Sequence, residues 1–113
     1  MAVDSSATST EDARAVAEQF FRALTEGDFA TYLSCLSTER KRNRGQEWLR
    51  GRFAKFAQLQ VQSWQIVQVL PQTPQTVWVK YQITYHAGAK RGEDELELII
   101  EGNNWKIERG DFC

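Results

Sequence analysis

Apolar residues recur every three to four positions from Ala13 to Leu24, and beyond Ala57 they recur at every second position. Ala13, Val16, Ala17, Phe20, Phe21 and Leu24 form the one-sided stripe of an amphipathic helix. Thr8 with Glu11, or Ser9 with Asp12, has the spacing of a capping box, so the helix is predicted to start there. Residues 1–8 are small and polar and are predicted to be a disordered tail. Gly27 suits the left-handed position after the last turn. Asp28 then caps a short second helix bearing Phe29, Tyr32, Leu33 and Leu36. A third helix carries Trp48, Leu49, Phe53 and Phe56. Extended backwards it would turn Arg42 toward the core, so it is predicted to begin near Arg44, with Arg40, Lys41 and Arg42 in a loop before it.

The second half reads as four strands. Leu59 to Leu70 alternates with a slip near Ser63, which predicts a bulge or bend, and "PQTPQ" follows as a turn. In "TVWVKYQITYH", Val77, Val79, Tyr81, Ile83 and Tyr85 share one face, and Trp78, Lys80, Gln82, Thr84 and His86 the other. "AGAKRGED" reads as a hairpin loop, "ELELIIE" as a strand with Leu96, Leu98 and Ile100 inward, and "GNN" as a tight turn. "WKIERGDF" closes the series, with Trp105 and Ile107 inward. Helices first and hairpin-linked strands last predict an α+β domain over residues 9–113, with N-terminal helices covering one face of an antiparallel sheet.

Composition narrows the function classes. The net charge of −1 argues against a general nucleic-acid binder, which is usually basic throughout. No run of about eighteen apolar residues exists to span a membrane as a helix. "MAVDSSATSTED" lacks the basic and apolar regions of a signal peptide. If Met1 is the native start, a cytosolic protein is expected; otherwise a lost signal or lipid anchor would make this the exported domain of an anchored protein. Cys35 sits among Tyr32, Leu33 and Leu36 and is expected to be buried, whereas Cys113 is expected to be a free, mobile thiol. Two cysteines without CxxC spacing and a single His do not make a zinc site, so no metal or cofactor is expected.

"FFRALTEGDFATYLSCLS" resembles the opening of NTF2-like domains: a helix, Gly-Asp, and a short amphipathic helix. "ELELIIEGNNWKIERGDF" resembles their last hairpin, where a Trp follows a Gly/Asn turn. The resemblance covers residues 11–112 and implies a curved sheet wrapped round a helical cone, with a pocket between them. It spans isomerases, dehydratases, transport adaptors and small accessory domains, so it marks the fold rather than the activity.

An isomerase of that type needs a buried carboxylate as general base and a donor for the oxyanion. The inward strand positions hold no acid. Asp111 shares the parity of Trp105 and Ile107, which places it inward at a pocket mouth or past the end of the sheet. Tyr32, Tyr81 and Tyr85, with Trp48 or Trp64, line either an aromatic core or a pocket for a small apolar ligand. His86, outward by parity, is expected to be exposed. Trp78, with Lys80 and Gln82 on the same outward face, needs a cover. The resemblance implies that a second subunit supplies it, making a homodimer.

Half of the chain's 14 basic residues fall between Arg40 and Lys55. Arg44, Trp48 and Arg52 are spaced so that guanidiniums bracket the indole, and Arg40, Lys41, Arg42 and Lys55 extend that surface. Cations at a helix N-terminus oppose the macrodipole, which suggests an anionic partner. The alternatives are a solvated face, one paired with the acids of Glu93–Glu101, an acidic protein or membrane surface, or a nucleic acid. Together these features are expected of a non-enzymatic accessory or interaction domain, with a small-molecule site or an anion site as alternatives.

Overall fold

The computed structural model describes residues 9–59, 61–85 and 91–113, with the backbone alone at Tyr85 and Arg91. The expectations for residues 1–8 and for His86 lie outside the described residues. Helix α1 (Thr10–Glu26) starts where Ser9 Oγ accepts from the Asp12 amide and ends at Gly27, whose φ of 74° is left-handed. Asp28 caps α2 (Phe29–Ser34) by accepting from Thr31, and those bonds hold its carboxyl below the usual carboxylate range.

The basic stretch departs from expectation. It forms two helices, α3 (Thr38–Arg44) and α4 (Gln46–Gln58). Ser37 starts α3: its Oγ accepts from the Arg40 amide at 3.0 Å and donates to Glu108 Oε1 at 2.6 Å. The Glu101 carboxylate also accepts from the Thr38 amide and hydroxyl, each at 2.9 Å. Slight burial works against the charged form of Glu101, but those bonds and nearby Lys106 and Lys41 hold its carboxyl below its ordinary value. Gly45, at φ 81° and ψ 149°, separates the two helices in backbone space that only glycine enters easily.

Lys41, Arg42 and Arg44 therefore lie in the last turn of α3, where the helix dipole favours cations. For these three residues the dipole conflict expected of a single helix does not arise. A Cβ at Gly45 would meet nothing within 4 Å. Gly45→Ala should accordingly cost about 1–3 kcal/mol through backbone strain alone. Gly51, inside α4 and equally open, should instead gain up to ~1 kcal/mol as Ala. Urea unfolding of the two variants checks the opposite signs.

Strands β1 (Val61–Thr73), β2 (Thr76–Tyr85), β3 (Arg91–Glu101) and β4 (Asn104–Arg109) pair in that order as an antiparallel, curved, unclosed meander. Strand β1 carries irregularities at Val61/Ser63, Ile66/Gln68 and Pro71/Thr73. The first matches the slip near Ser63; the others bend the strand further. Pro71, expected to open a turn, lies within β1, and an edge strand tolerates its missing amide. Part of the expected "AGAKRGED" loop is strand as well, since Arg91 pairs with Thr84. At the other edge, Ile107 exchanges backbone bonds with Cys35 and Ser37, so the link between α2 and α3 covers β4.

The core lies between the helices and one sheet face. Ala13, Ala17, Phe20, Phe21 and Leu24 of α1 meet Ile66, Val77, Val79, Tyr81, Ile83, Leu96, Leu98, Trp105 and Ile107. Trp105 Nε1 donates to the Ser9 carbonyl at 2.9 Å, tying β4 to the start of α1. Leu33 and Phe53 are only half-buried, and Phe53 closes an aromatic group with Phe29 and Tyr32.

Candidate functional site

Strand β4 was expected to run on through Phe112, but it ends at Arg109. At Gly110 the chain lies so close to β3 that a Cβ would sit 2.4 Å from Leu96 Cδ2. That approach turns residues 111–113 inward across the helices. The Phe112 ring is buried edge-on to Phe56, with centroids 5.1 Å apart. Cys113, expected to be mobile, is 1% exposed.

Three helices grip this segment by its main chain. From α2, Tyr32 Oη donates to the Phe112 carbonyl at 2.5 Å. From α3, Arg40 Nη2 donates to the main-chain oxygen of Cys113. From α4, Arg52 Nη2 donates to the Asp111 carbonyl at 2.5 Å. The Nε atoms of Arg40 and Arg52 are buried and have no hydrogen-bond partner among the described residues. Burial raises the Tyr32 phenol above its ordinary range, with Arg52 and Arg40 pulling the other way. Burial also pushes the Cys113 thiol up to about 11, although Arg40, Arg44 and Arg52 oppose the rise. Neither group is ionised near neutrality, so the segment is held by hydrogen bonds and packing.

The six residues read as pocket candidates are spread over several settings. Tyr32 is in the grip just described, stacked between Phe20 and Phe29. Tyr81 is buried against Phe21, and the half-buried Trp64 stacks on the same ring. The exposed Asp111 carboxylate is 3.9 Å from Arg52. Between Tyr81 and the 111–113 segment there is a cleft of about 60 Å³, bounded also by Ile83, Asp94, Asp111 and Phe112. The Tyr85 side chain lies outside the described residues. Trp48 is 40% exposed on the surface of α4, with Arg44 over its ring at 4.5 Å and Arg52 at 5.3 Å.

The basic candidates divide in the same way. Arg40 and Arg52 turn to the 111–113 segment, and Arg44 stays with Trp48. Lys41 is half-buried near Glu101; Arg42 and Lys55 are exposed. Among the described residues, the β3 acids form no salt bridge with this surface: Glu97 pairs with Arg109 of β4, and Glu101 bonds to Thr38. Arg50, which suggested no role from its position, lies over Phe29 at 4.2 Å. Phe112 and Cys113 were not read as part of any site. The signal available was an apolar pair directly after a strand-ending glycine. No helix among the described residues is long and apolar enough to cross a membrane. No protein-family model matches this chain, and no curated protein sequence is significantly similar to it.

Proposed function

We propose that this chain is an NTF2-like domain that acts as a non-enzymatic accessory or protein-interaction module and pairs with a second copy through the outer face of its sheet. The observation that carries the reading is the filled interior. Where such a cone would hold a substrate, Phe112 and Cys113 are packed against α2 and α4. The buried inward positions of β2 and β3 are Val77, Val79, Tyr81, Ile83, Leu96 and Leu98, which offer no carboxylate as a general base; Asp94, which pairs with Tyr81 on that face although no acid was expected there, is exposed at the rim of the cleft. An anion- or nucleic-acid-binding role has less support, because Lys41, Arg42 and Arg44 are balanced by the dipole of α3 and Arg40 and Arg52 are engaged by residues 111–113.

The dimer rests on the other face. Trp78 is half-buried between Leu70 on β1 and Glu97 on β3. Lys80 and Gln82, also half-buried, stand opposite Glu95 and Glu93. An indole flanked by polar and charged side chains is the composition of an interface centre with a polar rim. Wild-type protein is expected to scatter light as a dimer, and Trp78→Glu as a folded monomer with little change in its melting temperature. A wild type that stays monomeric at high concentration removes the dimer. An accessory domain should also leave enolisable ketosteroids unchanged; turnover of one would remove the non-enzymatic reading.

A further inference from the structure

We propose that the free edge of β1 docks an extended, uncharged segment of a partner protein, which adds to the four-stranded sheet as a further strand. This rests on the interaction-module reading above, though not on its dimer. Strand β1 is an outer strand: among the described residues its ladder runs to β2 alone, over Val61–Thr73. The opposite edge of the sheet is closed, because Cys35 and Ser37 exchange backbone bonds with Ile107 of β4. An open edge offers a row of backbone donors and acceptors, and the group that satisfies both at strand spacing is another extended main chain. The β1 edge is also free of charge. From Phe56 to Val79 the chain has no charged residue, although 26% of its residues overall are charged. Edges that stay open to water ordinarily carry charges, lysine above all. Strand β1 instead exposes Gln62, Ser63, Gln65, Val67 and Gln68.

The side chains of β1 define the segment. Trp64 and Val69 pair with Ile83 and Val79 on the inward face, yet both are only half-buried, since no described strand shields them on the outer side. Gln65 and Gln68, opposite Gln82 and Lys80, share the outward face and are exposed. An added strand therefore places apolar residues beside Trp64 and Val69, and uncharged polar ones beside Gln65 and Gln68. A carboxylate or ammonium in that row would be partly desolvated with no opposite charge on β1 to meet it. The irregularity between Ile66 and Gln68 divides the edge into two regular runs, Ser63–Ile66 and Gln68–Pro71, and Pro71 has no amide to donate. A flexible segment follows the bend between the runs. A second copy would bring a β1 already fixed to its own β2 and bent at its own irregularity, so it matches only one run at a time.

The test uses the full chain and a blocked peptide, Thr-Val-Gln-Ile-Thr-Val, carried on a neutral polyethylene-glycol tail for solubility. Titrated into isotopically labelled protein, it should shift the amide resonances from Ser63 to Leu70 and leave those of β4 in place. The same peptide N-methylated at every residue has no donor for the edge and should bind at least about ten-fold more weakly. Replacing both of its threonines by glutamate should weaken it at least about five-fold, because the carboxylates lose water without gaining a partner. Unshifted β1 resonances overturn the docking site, and so does equal affinity of the methylated or the glutamate peptide. A wild-type oligomer that survives Trp78→Glu with its β1 amides protected from exchange also overturns it, since a second copy then holds the edge. Such failures leave the filled interior and the non-enzymatic reading in place. Turnover of a ketosteroid would remove that reading without moving the β1 resonances, so the two failures are told apart.

Discussion

Phe21→Ala is expected to remove about 3–5 kcal/mol of folding stability, a large share of the roughly 5–15 kcal/mol a domain typically has. Phe21 is fully buried at the point where α1 crosses the sheet. Its ring meets Phe20 at 5.4 Å, Trp64 at 5.4 Å and Tyr81 at 4.7 Å, so truncation strips contacts from three other aromatic rings at once. Those neighbours belong to α1, β1 and β2, whose backbones are fixed by helix and ladder hydrogen bonds, so the hole cannot collapse cheaply. Phe21→Leu keeps most of the volume and should cost less than about 1.5 kcal/mol. Urea unfolding followed by tryptophan fluorescence measures both. A loss below ~1 kcal/mol for the alanine variant would mean that α1 does not lie across the sheet in this way.

Phe21 also shows what kind of information the chain carries locally. Helix α1 was readable because one residue set fixes its period, its caps and its buried face together: the Ala13–Leu24 stripe, Ser9 and Gly27. Strand β2 was readable for the same reason at period two, and the Gly102 turn by its left-handed glycine. Helix α3 has no buried residue, so it leaves no hydrophobic period to find. It exists because Ser37 caps it, Gly45 ends it, and Glu101, 63 positions away, closes its first turn.

The candidate site was partly legible in the same sense. Tyr32, Arg40 and Arg52 were singled out by residue type, as pocket or anion ligands. What they hold was not, because the partners lie 80, 73 and 59 positions away. The inward turn of residues 111–113 depends on Gly110 fitting against a particular leucine of β3. No pattern within the last strand encodes that leucine, and alternation alone prolongs the strand to Phe112.

Alkaline conditions should weaken the fold steeply over the same pH range in which its lysines lose their charge. Burial pushes the Cys35 thiol from 9.0 up to about 11 and the Cys113 thiol likewise from 9.0 to about 11, while the Tyr32 phenol is raised further from 10.0. In each case the neutral form is the one the folded chain accommodates. A group raised in this way contributes its full stability below the unfolded pKa and loses it as the pH climbs through the folded one. The window is therefore from about pH 9 to pH 11, set by the two thiols, and Tyr32 deepens the loss above pH 10. Two pK units amount to roughly 3 kcal/mol per thiol, so the pair contributes roughly 5 kcal/mol by the end of the window. That is comparable to the whole stability of a small domain. The measurement is the urea midpoint at successive pH values under a phosphine reductant, which keeps both thiols free. Cys35→Ala with Cys113→Ala will start lower at neutral pH, because two packed side chains are trimmed. Its midpoint should nevertheless fall much less steeply above pH 9 than that of wild type. A wild-type midpoint that stays level from pH 8 to pH 10.5, or a double variant with the same slope as wild type, would show that the two thiols are not buried as described.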